Sequence, residues 1–165
     1  SDTLLLKSPT TADLDRRMCE WLEKVSGVTG AELMEELMRI DSPLASKSAS
    51  EVIGQDRKDY TEGRFHFALA QVEESNLELL HQRKEELRTE MNRVMEREKL
   101  DFFGLLVTDA VRESSELLMT GSPELLRNLP YARLGDGLWS LPGVLSRKKQ
   151  LLPQVIAVIA ALEGN

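Results

Sequence analysis

The unbroken apolar run from Phe102 to Val107 constrains the fold of this chain more than any other stretch. A short, continuous apolar segment bounded by polar residues is the pattern of a strand buried on both faces. Residues 64–72 alternate instead, with Phe65, Phe67 and Leu69 on one side and His66, Ala68 and Ala70 on the other, which is also a strand pattern. Between the two, Leu77, Leu80, Leu87, Met91 and Val94 recur at near-helical spacing. Ser75 and Glu78 match a capping box, so a helix is predicted from there to about Lys99. Glu85/Arg88 and Glu90/Arg93 suit its solvent face.

The remaining segments extend the alternation of strands and helices. Thr10, Thr11 or Asp13 can cap a helix that carries Met18, Trp21, Leu22 and Val25 on one face and stops at Gly27. A second helix is predicted over 30–40, with Leu33, Met34, Leu37 and Met38 inward. The Pro- and Ser-containing stretch 41–47 reads as a linker. One or two helical turns follow from Ser50 to Gln55, and strands are predicted at Ser115–Thr120 and Leu138–Leu141. Ser122 with Pro123 opens a short helix, Gly135-Asp136-Gly137 makes a tight turn, and a last helix begins near Leu151 and ends before Gly164. Strands interleaved with helices argue for a sheet covered by helices.

Composition narrows the function classes. With 165 residues, 41% hydrophobic and 30% charged, the chain has enough apolar surface for a core. No apolar run approaches the roughly 20 residues that span a bilayer, and the first residues do not read as a secretory leader. One cysteine, Cys19, leaves no internal disulfide; a cytoplasmic protein without membrane partners is expected. A net charge of −7 argues against nucleic-acid binding. No His or Cys cluster makes a self-contained metal site, and no glycine-rich nucleotide loop appears.

Against that acidic background, Ser146-Arg147-Lys148-Lys149-Gln150 places three cations just before the last helix. Arg presents a planar fork to phosphate oxygens, Lys a compact mobile charge, and a helix start favours anions. From the residues alone, a phosphate clamp and a solvated charge cluster both fit.

Four segments occur in one order: Ser1 to Thr10, Gln55-Asp56-Arg57-Lys58-Asp59-Tyr60, Leu106-Val107-Thr108-Asp109 and Gly143 to Gln150. Together they resemble the C-terminal half of family II inorganic pyrophosphatases, manganese-dependent members of the DHH phosphoesterase superfamily. The resemblance implies an α/β fold, a mixed β-sheet with helices on both faces, preceded by a helical extension. It implies that residues 1–40 are the tail of a metal-binding DHH domain, 41–47 the linker, and 48–165 a DHH-associated domain that closes over pyrophosphate. Asp2 matches the family's last metal-ligand aspartate. Lys58 matches a phosphate-binding lysine, although Gln55-Asp56-Arg57 departs from the family's Leu-Asp-Ala-type triplet and gains a charge. Arg147 and Lys148 match the family's substrate-binding, catalytic Arg-Lys pair.

By that resemblance the intact protein hydrolyses pyrophosphate to two orthophosphates with manganese, or magnesium or cobalt, as cofactor. The fragment alone is expected to be inactive and to hold no metal firmly. Its expected partners are pyrophosphate and the missing N-terminal domain, with self-association through Trp21, Leu22 and Met34 an open outcome. The alternatives are a related phosphoesterase acting on short polyphosphate, or a non-catalytic module binding a phosphorylated ligand. Lys149 reads as a surface or structural residue, Asp109 as a turn acceptor or functional loop residue, His66 and His81 as structural or solvated, and Cys19 as a core thiol.

Overall fold

A computed structural model describes residues 6, 8–33 and 42–164 of the chain. Most of the Ser1–Thr10 segment, Asp2 included, and most of the second predicted helix lie outside them.

Helix α1 (Asp13–Ser26) begins after Ala12, whose N–H donates to Asp15 Oδ2 at 2.8 Å, and none of the three expected residues caps it by side chain. It ends as expected at Gly27, in the left-handed conformation at φ 72°. No residue of α1 is buried, and Trp21 is 55% exposed. The apolar face is therefore present but unpartnered among the described residues. Cys19, on the same helix, is half-exposed, which corrects the expected core thiol.

The stretch expected as linker contains a short helix, α2 (Pro43–Ser46), capped by Ser42 and carrying buried Leu44. It is pinned to the body by Glu74, a 1% exposed carboxylate that accepts from Ser42 Oγ at 2.5 Å and Leu44 N at 3.2 Å. Arg83 donates to the carbonyls of Leu44 and Lys47 from the other side. Helix α3 (Ala49–Gly54) follows, with Ser48 and Glu51 forming a capping box.

Among the described residues, six strands make one sheet: β1 (Lys58–Glu62), β2 (Phe65–Glu73), β3 (Phe102–Asp109), β4 (Ser114–Gly121), β5 (Ala132–Gly135) and β6 (Leu138–Pro142). Their order is β1-β2-β3-β4-β6-β5. Only β2 and β3 pair in parallel, joined by the long helix α4 (Glu78–Glu98). The sheet is thus mixed, as expected. Every residue of β3 is buried, as its continuous apolar run requires. The two edge strands escaped the sequence reading because β1 and β5 are exposed, polar and without alternation; backbone pairing to their neighbours creates them.

Helices cover both faces. On one, α2, α3 and α4 pack Leu44, Val52, Ile53, Leu80, Leu87 and Met91 against the even-numbered residues of β2 and the odd-numbered ones of β3. On the other, α5 (Pro123–Arg127) and α6 (Leu152–Glu163) cover Phe65, Phe67, Leu69, Phe102, Leu106 and Leu117. Tyr60, Phe67 and Phe102 are register partners across β1, β2 and β3. Their rings stack at 5.4 Å and 4.4 Å, which adds about 0.5–1.5 kcal/mol per pair beyond burial and pins the edge strand in register.

The predicted capping box at Ser75 does not form. Buried Glu74 instead accepts from Asn76 N at 3.0 Å, and Asn76 Oδ1 accepts from Glu78 N at 3.2 Å, so a side-chain turn precedes α4. Before α6, Arg147–Leu151 form a wider π-type turn rather than the start of an α-helix.

Candidate functional site

The parallel strands β2 and β3 end side by side, and β6 delivers the chain to the same end of the sheet. Ligand sites in such sheets lie outside the carboxyl ends of parallel strands. Gly143, at φ 73°, turns the chain out of β6 into the loop that carries the basic motif.

Backbone groups of that loop are held on several sides. Gln150 Oε1 accepts from the N–H groups of Leu145 and Ser146 at 2.8 and 3.0 Å, and its Nε2 donates to Gly143 O at 2.9 Å. The Gln of the motif therefore clips the loop that precedes it. Ser146 Oγ accepts from Lys149 N, and the Leu151 and Leu152 N–H groups reach five residues back to Ser146 and Arg147. Single π-type turns of this kind occur frequently at functional sites. On the sheet side, Gln71 Nε2 donates to Leu145 O and Gln71 Oε1 accepts from Arg147 N. Ser115 Oγ donates to Val144 O.

The turn sends its three cations in different directions. Arg147 points inward and is 6% exposed. Its guanidinium donates to Leu69 O and Asp56 Oδ1, both at a long 3.3 Å, and its buried Nε has no partner among the described residues. Lys148 is exposed and makes no side-chain hydrogen bond or ion pair among the described residues. Lys149 is exposed at its backbone position and donates from Nζ to Pro9 O at 2.6 Å, tying the motif to the N-terminal segment.

Lys58 opens β1 and is the register partner of Leu69, the residue whose carbonyl takes Arg147. The expected substrate-binding residues Lys58 and Arg147 are thus both placed beside Leu69 of β2, one by strand register and the other by a hydrogen bond. Arg57, the extra charge in the departing triplet, belongs to a different cluster. It pairs with Asp59 and Glu98 and lies 5.4 Å over the Phe103 ring. Those partners raise its pKa, with the Glu98 hydrogen bond the largest cause, so Arg57 is engaged away from the clamp.

Asp109 is 1% exposed and accepts from Val111 N and Arg112 N, the geometry of a turn acceptor. His81 pairs with Glu116 at 2.6 Å on the surface. Asp2 lies outside the described residues, and among those described no three His, Cys, Asp or Glu converge on a point that could hold a metal. The residues missed in the sequence are Gln71, Thr108, Ser115 and Gln150. The first two carried a signal: each breaks the apolar row of its strand face, Gln71 after Phe65, Phe67 and Leu69, and Thr108 after Phe102 and Leu106.

Chemically, the arrangement can bind and neutralise an anion. A buried guanidinium with unused donors, an adjacent strand bearing Lys58, and an exposed Lys148 on the same turn as Arg147 suit phosphate oxygens.

Known proteins are similar to this chain along most of its length. The chain is 36% identical over 160 residues to a cobalt-dependent inorganic pyrophosphatase from Clostridium perfringens, a match spanning 96% of this chain and 29% of that protein. It is 36% identical over 156 residues to a Lactobacillus gasseri protein named as a manganese-dependent inorganic pyrophosphatase, spanning 93% of this chain and 50% of the relative. A Methanococcus jannaschii crystal structure assigned to the family II inorganic pyrophosphatases superposes with a TM-score of 0.78 at 29% identity, over 95% of this chain and 52% of that one. The chain therefore spans about half or less of the length of these relatives. Residues 35–158 match the DHHA2 domain, and the chain belongs to that family.

Proposed function

We propose that this chain is the substrate-closing part of an inorganic pyrophosphatase that hydrolyses pyrophosphate to two orthophosphates. Residues 1–40 are the tail of the preceding domain, 41–47 the link, and 48–165 the clamp. Lys58, Arg147 and Lys148 bind the phosphoryl oxygens, and Arg147 and Lys148 also neutralise charge as it moves toward the leaving phosphate. Asp2 contributes to a manganese or cobalt site whose other ligands lie outside this chain. Metals of this kind supply activated water near neutral pH; Lys58, Arg147 and Lys148 bind, orient and neutralise the anion. The lone cysteine suits a cytoplasmic setting.

One observation carries this reading: Arg147 is buried with two long bonds and an unpartnered Nε. A buried cation is costly unless its donors are satisfied, so a site that keeps one under-used is arranged for a further acceptor. Two domains that meet around the anion let closure follow substrate and opening release product.

The test is the double substitution Arg147→Ala with Lys148→Ala in the intact protein. Turnover of pyrophosphate falls by at least about 100-fold, as for loss of a main transition-state donor, while metal content measured by atomic absorption is unchanged. Retained turnover with lost metal would mean the motif serves the metal instead.

A further inference from the structure

We propose that Gln71 is the positioning residue for Arg147, acting within a hydrogen-bond network with Thr108 and Ser115 that fixes the clamp loop. It rests on the clamp reading for its ligand but stands on its own geometry.

The three residues form a polar layer where an apolar one would be expected. On the α6-covered face, β2 runs Phe65, Phe67, Leu69 and then Gln71, while β3 runs Phe102, Leu106 and then Thr108. Ser115 is the register partner of Thr108, and both are 0% exposed. Leu or Val would extend the core at each position. A polar layer there carries a desolvation cost unless every group is bonded.

All three side chains are bonded. Arg147 N–H can only donate, so the Gln71 oxygen faces it at 2.9 Å. Leu145 C=O can only accept, so the Gln71 nitrogen faces it at 3.1 Å. The amide orientation follows from the partners. The second Gln71 N–H donates to Thr108 Oγ1 at 3.1 Å. Ser115 Oγ donates to Val144 O at 2.5 Å and shares its proton with Thr108 Oγ1 at 3.0 Å. Thr108 Oγ1 thus accepts from Gln71 on one side and Ser115 on the other, and such connected bonds reinforce one another.

The consequence falls on the loop. Val144 O, Leu145 O and Arg147 N are gripped by two side chains rooted in different strands, Ser115 of β4 and Gln71 of β2. Arg147 thereby enters the interior from a backbone fixed against the sheet, and its guanidinium reaches Leu69 O on the same strand as Gln71. Preorganised donors of this kind bind charge without reorganising first. The Gln71 amide is taken up by Thr108, Leu145 O and Arg147 N, so its effect is exerted through Arg147.

The test uses this chain, with pyrophosphate as the probe. In Gln71→Leu, amide hydrogen exchange at Arg147 speeds up by at least about tenfold and calorimetric affinity for pyrophosphate falls about tenfold. Gln71→Glu separates positioning from packing. Its carboxylate still accepts from Arg147 N but cannot donate to Leu145 O or Thr108. The affinity deficit relative to the native chain therefore shrinks as pH falls and the glutamate protonates. Native-like exchange at Arg147 in Gln71→Leu, or a pH-independent deficit in Gln71→Glu, overturns the proposal. Arg147→Ala tells the two readings apart. If it leaves pyrophosphate affinity unchanged, the clamp reading fails and the affinity claim with it. If it abolishes binding while Gln71→Leu does not weaken it, only the positioning role fails.

Discussion

Gly121 and Gly143 look alike in the sequence, each closing a strand, yet the structure separates them. At Gly121 the backbone has φ 116°, and a Cβ would stand 2.4 Å from Asp101 O and 2.5 Å from Phe102 Cα. Those atoms belong to the backbone at the start of β3 and cannot step aside. Gly121→Ala is therefore expected to cost about 3 kcal/mol, combining a disfavoured φ with a backbone clash. At Gly143 nothing lies within 4 Å, so Gly143→Ala meets only the left-handed penalty of about 1 kcal/mol. Urea midpoints of the two variants decide this; equal losses would mean the strand-end backbone at Asp101 yields. Site residues show the same divide. Arg147 and Lys148 were legible from charge, spacing and resemblance. That one turns inward and the other outward follows from the π-type turn, which no local pattern announced.

Among the elements, α4 shows how a surface helix is tied to an edge strand. Near its end, Glu98 takes hydrogen bonds from Arg57, beside β1, and from its neighbour Arg97. Those bonds, Arg57 first, hold its carboxyl at about 2, against an ordinary value near 4.5. The folded state therefore prefers the ionised carboxylate. Its contribution is complete above the ordinary value and is lost as pH falls from about 4.5 toward 2. Partial exposure keeps the effect modest. Chemical denaturation of Glu98→Gln should show a stability deficit at pH 7 that shrinks below about pH 4.5 and closes toward pH 2; a deficit constant with pH would assign the loss to packing. The strands divide by visibility: β2, β3, β4 and β6 carry apolar patterns, while β1 and β5 are polar edge strands. For β1, the aromatic row Tyr60–Phe67–Phe102 supplies the register that sets Lys58 opposite Leu69.

At the scale of the whole molecule, residues 42–164 enclose two apolar clusters, one on each side of the sheet, while α1 contributes no buried residue. The core should thus be insensitive to changes on the α1 face. Trp21→Gln with Leu22→Gln is expected to leave the thermal midpoint within about 2 °C of the native chain, the shift for a change of a few tenths of a kcal/mol. A large fall in the midpoint would show that α1 packs on the body in solution.

The sequence by itself determined the α/β class, the buried central strand, the long helix after β2 and the basic motif before the last helix. Each follows from chemistry repeated over a few neighbouring residues, where periodicity and charge report directly on burial. Tertiary structure alone decided the edge strands, the turn at Glu74, the exposure of α1 and the polar layer beneath the clamp. Gln71 lies 76 residues from Arg147, whose N–H it accepts, and Arg147 lies 91 residues from Asp56. Whether a polar side chain is solvated or holds a loop depends on which distant backbone groups the sheet brings within about 3 Å of it, and no local pattern encodes that distance.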